Sequence, residues 1–116
     1  ELVDKGRDHV RGGRWREARE AFEQALGRDG RSAAAYSGLG EVAFQEQKFA
    51  DAAEQHRRST LLAPRNADYQ VNLGMAYFKL QNYAQAKKSW EKALELKPGE
   101  PKATRYLQLV EKKLSE

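Results

Sequence analysis

The sequence predicts an all-α protein, an α-solenoid of three helix-turn-helix hairpins followed by a C-terminal capping helix, seven helices in one domain spanning residues 1–116. Three observations carry that expectation. Gly6, Gly40 and Gly74 stand 34 residues apart, as do Ala18, Ala52 and Ala86, and an aromatic residue falls in the same frame at Trp15, Phe49 and Tyr83. Within each unit the apolar residues recur at three- and four-residue steps in two successive stretches, which is helix periodicity. Glycine and proline punctuate the chain between these stretches, and no alternating pattern competes for a strand.

The first unit, about residues 1–32, holds helices over 2–11 and 15–28 separated by Gly12-Gly13. The second, 33–66, holds helices over 33–46 and 49–62 and ends on Pro64-Arg65-Asn66. In the third, 67–100, the apolar positions are clearest: Leu73, Ala76, Tyr77 and Leu80 on a helix over 67–80, then Tyr83, Ala86, Trp90, Ala93 and Leu94 on one over 83–96. Pro98-Gly99-Glu100-Pro101 stops that helix, and Pro101 suits the first turn of the next. The closing helix, over 101–114 of a capping segment 101–115, has one apolar face of Leu107, Val110 and Leu114, with Gln108, Glu111, Lys112 and Lys113 on the wet side. The frame also aligns Phe22, His56 and Trp90, then Ala25, Ser59 and Ala93, then Gly30, Pro64 and Pro98. Small residues at Gly40 and Ala52 let two helices approach, and the aromatics fill the wedge beside that contact. A hairpin cannot bury its own apolar face, so each stacks on the next and the last needs a lid.

A charged fraction of 33% and a hydrophobic fraction of 40% describe a chain that folds in water. No apolar run approaches the roughly 18 residues of a membrane span, and no signal-peptide segment opens the chain. The expectation is a soluble protein without membrane insertion, a cytoplasmic location being preferred to a periplasmic one. The absence of cysteine excludes disulfides and thiolate metal ligands. The net charge of +4 is spread along the chain with acids interleaved, not gathered into the basic stripe of a nucleic-acid surface.

These residues resemble the tetratricopeptide repeat (TPR) family, whose pattern sets Leu-Gly, an aromatic, Ala, an aromatic, Ala and Pro in order. The third unit matches most closely, with Leu73-Gly74, Tyr77, Ala86, Trp90, Ala93 and Pro98. The second keeps Leu39-Gly40, Ala52 and Pro64 but has Ala43, His56 and Ser59 at positions the family fills otherwise. The first keeps Gly6, Ala18, Phe22 and Ala25, with Lys5 before the glycine, His9 at the aromatic position and Gly30 for proline. In this frame the chain begins inside a repeat, so further repeats upstream in a parent protein are expected.

The resemblance implies a non-catalytic protein-protein interaction module, a scaffold or adaptor holding a peptide or helix of a partner in the concave groove lined by the first helix of each hairpin. Carried over, the groove positions are Val3, Arg7, Val10 and Arg11 in the first unit, Ser37, Glu41, Phe44 and Gln45 in the second, and Val71, Met75, Phe78 and Lys79 in the third. Arg105 and Leu109 of the closing helix extend them. One branch of the family grips a C-terminal carboxylate with Lys and Asn residues at five groove positions. Here those positions read Val3, Arg7, Glu41, Val71 and Met75, so that clamp is absent. An apolar floor of Phe44, Val71, Met75 and Phe78 beside Arg7, Arg11 and Lys79 suits an amphipathic or apolar-anchored segment carrying acidic residues. Two alternatives stand beside this reading: self-association within a larger TPR protein, and, less favoured because acids are scattered through every unit, an RNA-binding helical repeat.

No catalytic, cofactor or metal site is expected. His9 and His56 lie on different units without nearby cysteines or paired carboxylates and read as packing residues. Gly12-Gly13 between Arg11 and Arg14 lacks the strand and the Gly-Lys-Ser/Thr ending of a phosphate loop and reads as a hairpin turn.

Overall fold

The computed structural model describes all residues 1–116 and contains seven helices and no strand. They are α1 (Leu2–Arg11), α2 (Trp15–Arg28), α3 (Ala33–Gln45), α4 (Phe49–Leu62), α5 (Ala67–Lys79), α6 (Tyr83–Leu96) and α7 (Pro101–Leu114). The ends agree with the periodicity except that α3 and α5 each stop one residue early. The cause lies in the turns that follow, where Gln47 and Gln81 adopt φ of 63° and 62°, the conformation Gly13 takes at 73° in the first hairpin. A left-handed residue cannot continue a right-handed helix, and for glutamine it costs about 1 kcal/mol that glycine avoids.

Side-chain caps fix the starts of three of the inner helices. Ser32 Oγ accepts from the Ala35 amide at 3.1 Å, Asn66 Oδ1 from the Tyr69 amide at 3.0 Å, and the buried Glu100 carboxylate from the Lys102 amide at 3.0 Å. These three caps set where α3, α5 and α7 begin. Each helix packs on its neighbours in sequence, and α1, α3, α5 and α7 also touch one another in succession, whereas α2, α4 and α6 do not. The first helices therefore form the inner, crowded layer and the second helices the splayed outer one. The result is a curved stack measuring 43 × 26 × 20 Å.

Aromatic rings laid flat on glycine backbone hold the hairpins shut. Phe22 is wedged between Gly6 and Gly38, His56 lies against Gly40, and Trp90 lies against Gly74. A Cβ added at Gly6 would stand 2.5 Å from the Phe22 ring, and one at Gly40 would stand 2.6 Å from the His56 ring. The approach is thus closer than expected, since even a methyl group is too large. Trp90 is fully buried, donates its Nε1–H to the Val71 carbonyl at 3.1 Å and is covered by Tyr106 of α7 at 5.2 Å between ring centroids. Through that stack, with Ala103 and Val110 beside it, α7 serves as the lid of the third hairpin.

Candidate functional site

The inner layer is hollow at the junction of the second and third hairpins, and two side chains there are smaller than their counterparts one repeat later. In the third hairpin the buried ring is Trp90 and the residue covering it is Tyr106. At the preceding junction the equivalent ring is the smaller His56, and the residue one repeat before Tyr106 is Asn72. The space that indole and phenol fill in one repeat is left open in the other.

That space is a cavity of about 440 Å³. Glu41, Phe44 and Gln45 of α3 line one wall, Asp68, Val71, Asn72 and Met75 of α5 the other, Lys102 of α7 reaches in from the far end, and His56 of α4 lies beneath. Phe44 and Gln45 stand three and four residues after Glu41, and Val71 and Asn72 three and four after Asp68, so on each inner helix the lining residues share one face. Phe44 is steadied by an edge-to-face contact with Phe49 at 5.2 Å. Val71 is only 4% exposed and presents an edge, while Met75 is half-buried and packs on the core of the third hairpin.

Five residues expected in the groove, Glu41, Phe44, Gln45, Val71 and Met75, are thus brought together. The others lie elsewhere. Val3 edges a separate recess of about 290 Å³ at the open end of the stack, with Glu1, Leu2, Ala25, Arg28, Asp29 and Ser32. Val10 packs against the first hairpin's core, and Ser37 is half-buried. Phe78 leans on Tyr83 at 5.2 Å and Trp90 at 5.9 Å, so it belongs as much to the third hairpin's interior as to the groove. Arg105 and Leu109 stand exposed on α7. Four cavity residues fall outside the expected groove set: His56, Asp68, Asn72 and Lys102. A signal for two of them was present, because Asp68 and Asn72 precede Val71 and Met75 by three residues on the same helical face. Lys102 stands one repeat length after Asp68.

The charges are arranged differently from the basic margin read in the sequence. Arg7 faces Asp4 at 3.7 Å, Arg11 pairs with Asp8, and Lys79 Nζ sits 5.9 Å from the Phe49 ring centroid. Each of these cations is engaged locally. Glu41 and Asp68 join no ion pair. His56 is 3% exposed, its Nδ1 has no hydrogen-bond partner, and burial pushes the imidazole down to about 4, so the ring is neutral at pH 7. His9 sits apart from it, accepting a hydrogen bond at Nδ1 from Arg14 Nε at 2.9 Å. No three His, Cys, Asp or Glu side chains converge as a metal site would require. No helix is long and apolar enough to cross a membrane.

Comparison with known proteins agrees with this architecture. A family model described as Tetratricopeptide repeat matches residues 3–67, and a second with the same description matches residues 67–100. Among solved structures, the first TPR of Spaghetti (RPAP3), bound to the HSP90 peptide SRMEEVD, superposes with a TM-score of 0.95 at 26% identity, over 99% of this chain and 91% of that one. The first TPR domain of human RPAP3 gives 0.94 at 26% identity, over 98% and 90%. MamA gives 0.92 at 25% identity, covering 98% of this chain and 67% of that one. No curated protein sequence matches the chain. With a repeat of 34 residues, paired helices that close on glycine, and a family match over more than half its length, the chain belongs to the tetratricopeptide repeat family.

Proposed function

We propose that the chain is a non-catalytic scaffold or adaptor that holds a segment of a partner protein, as a peptide or helix, along the inner layer, with the α3–α5 cavity taking its principal anchor. The observation that carries this reading is the cavity itself, about 440 Å³ of open space with Phe44, Val71 and Met75 on its walls. A concave site with a few apolar contacts and convergent polar groups is what captures a side chain of a bound segment. The similar first TPR of Spaghetti, which binds an HSP90 peptide, supports a protein segment as the occupant.

The groove is not read as a clamp for a C-terminal carboxylate. Val3, Glu41, Val71 and Met75 offer no cation, and Arg7 is already opposite Asp4. The peptide SRMEEVD, which the Spaghetti domain binds, is therefore expected not to bind this chain measurably at micromolar concentration.

The direct test selects peptides from a random display library on the intact chain and measures them against Met75→Trp. An indole filling the cavity should weaken selected peptides by on the order of 30-fold whatever their charge, the effect of losing one hot-spot contact. Far-UV circular dichroism should stay unchanged. Phe78 is unsuitable for this purpose because a change there would disturb Trp90. Undiminished binding by Met75→Trp would remove the cavity from the site.

A further inference from the structure

The middle of the groove is built for charge of one sign. Glu41 and Asp68 line the cavity from its two walls, on different helices, and both lack an ion-pair partner. Gln45 and Asn72 line it with them, and their amides can accept as well as donate hydrogen bonds. Beneath lies His56, 3% exposed, with Nδ1 unpartnered. The single cation on the lining is Lys102, whose exposed side chain is free to swing away.

Unpaired carboxylates alone are ordinary on a protein surface. The imidazole is not, because an unsatisfied buried polar group costs stability and calls for a reason. Its neutral form, maintained by burial, brings no positive charge beneath the two carboxylates. Glu41, Asp68, Gln45 and Asn72 can each accept a hydrogen bond, and the first two carry negative charge.

We infer that the α3–α5 cavity is a subsite for a basic side chain of the bound segment, arginine in preference to lysine, flanked in that segment by apolar residues. This rests on the groove being the binding surface, and adds what chemistry it selects. An arginine presents five donors in a rigid plane, enough to meet Glu41 and Asp68 on opposite walls at once, while its methylenes lie along Met75 and Phe44. A lysine brings a point charge to one wall or the other. The partner so described is basic at its anchor, opposite to the acidic segment that Arg7, Arg11 and Lys79 suggest in the bare sequence.

The test uses the intact chain and peptides selected on it from a random display library. One position enriched in arginine beside apolar residues is expected, and its replacement by alanine should weaken binding at least about ten-fold, as for a desolvated charge pair. Glu41→Gln together with Asp68→Asn should cost a similar factor against the arginine peptide and little against the alanine one, the non-additivity that marks direct contact. Lys102→Gln should strengthen the arginine peptide. Two results overturn the inference. Selected peptides that Met75→Trp blocks but that show an acidic consensus, or no charge preference, refute the basic subsite and leave the groove standing. Failure to select any peptide sensitive to Met75→Trp refutes the groove reading and the subsite with it.

Discussion

Replacing Trp90 by alanine is expected to unfold the C-terminal third of the molecule. The indole is fully buried, lies flat on Gly74, stacks on Tyr106 of α7 and bonds the Val71 carbonyl, so it ties α5, α6 and α7 together. Truncating a buried aromatic of this kind costs about 3–5 kcal/mol, against a total stability of about 5–15 kcal/mol for a domain. In a stack, that loss falls first on the repeat concerned and on its lid. Gly74→Ala attacks the same contact from the other side, since its methyl group would overlap the indole, and should cost about 1–3 kcal/mol. Gly27→Ala is the matched control: a Cβ there meets nothing within 4 Å, so the better helix former should gain up to about 1 kcal/mol. Denaturant unfolding followed by circular dichroism separates the three. A Trp90→Ala loss below 1 kcal/mol would contradict the ring-on-glycine account of the hairpins.

The second large effect is on pH dependence, and it belongs to His56. Burial holds this imidazole at about 4 in the folded chain, against about 6.5 when unfolded. The folded value is the depressed one, so above the unfolded value both states are neutral and the group adds no pH dependence. As pH falls from about 6.5 to 4 the unfolded chain takes up a proton the folded chain refuses, and stability drops by roughly 3 kcal/mol before levelling off. Glu41 and Asp68 face the same cavity and Lys102 reaches it, so the comparison must be between chains that keep all three. His56→Phe does so, and restores the apolar ring that Phe22 supplies in the first repeat. The variant should match or exceed the parent at pH 7.5 and lead it by roughly 3 kcal/mol near pH 4. Parallel stability curves from pH 7.5 to 4 would show that His56 is not held neutral by its surroundings.

Much of the fold is legible because close packing writes itself into residue size. Glycine at 6, 40 and 74 and alanine at 18, 52 and 86 stand where the two helices of a hairpin touch, and Pro64 and Pro98 stand where the second and third hairpins stop being helical. The left-handed turns at Gln47 and Gln81 are not legible in the same way. Glutamine carries no signature for that conformation, and only its register with Gly13 exposes it. The lining of the cavity between α3 and α5 is half legible. Frame position identifies which residues face inward on α3 and α5, so Glu41, Phe44, Gln45, Val71 and Met75 could be named. It does not give the helix tilt that turns Phe78 toward Trp90, nor the vacancy created when a histidine and an asparagine stand where another repeat has Trp90 and Tyr106. The sign of the site depends on that vacancy. Arg7, Arg11 and Lys79 dominate the sequence reading, yet each meets a local partner, and the open space is lined by Glu41 and Asp68.

The most direct measurement of the central claim is amide chemical-shift mapping on the isotope-labelled chain, titrated with a peptide selected on it. The largest perturbations are expected on Glu41 to Gln45 of α3 and Asp68 to Met75 of α5, with weaker ones at the start of α7 near Lys102 and almost none on the outward faces of α2, α4 and α6. Perturbations centred on those outer helices, with the inner layer unmoved, would show that the hollow between α3 and α5 is not where this protein receives its partner.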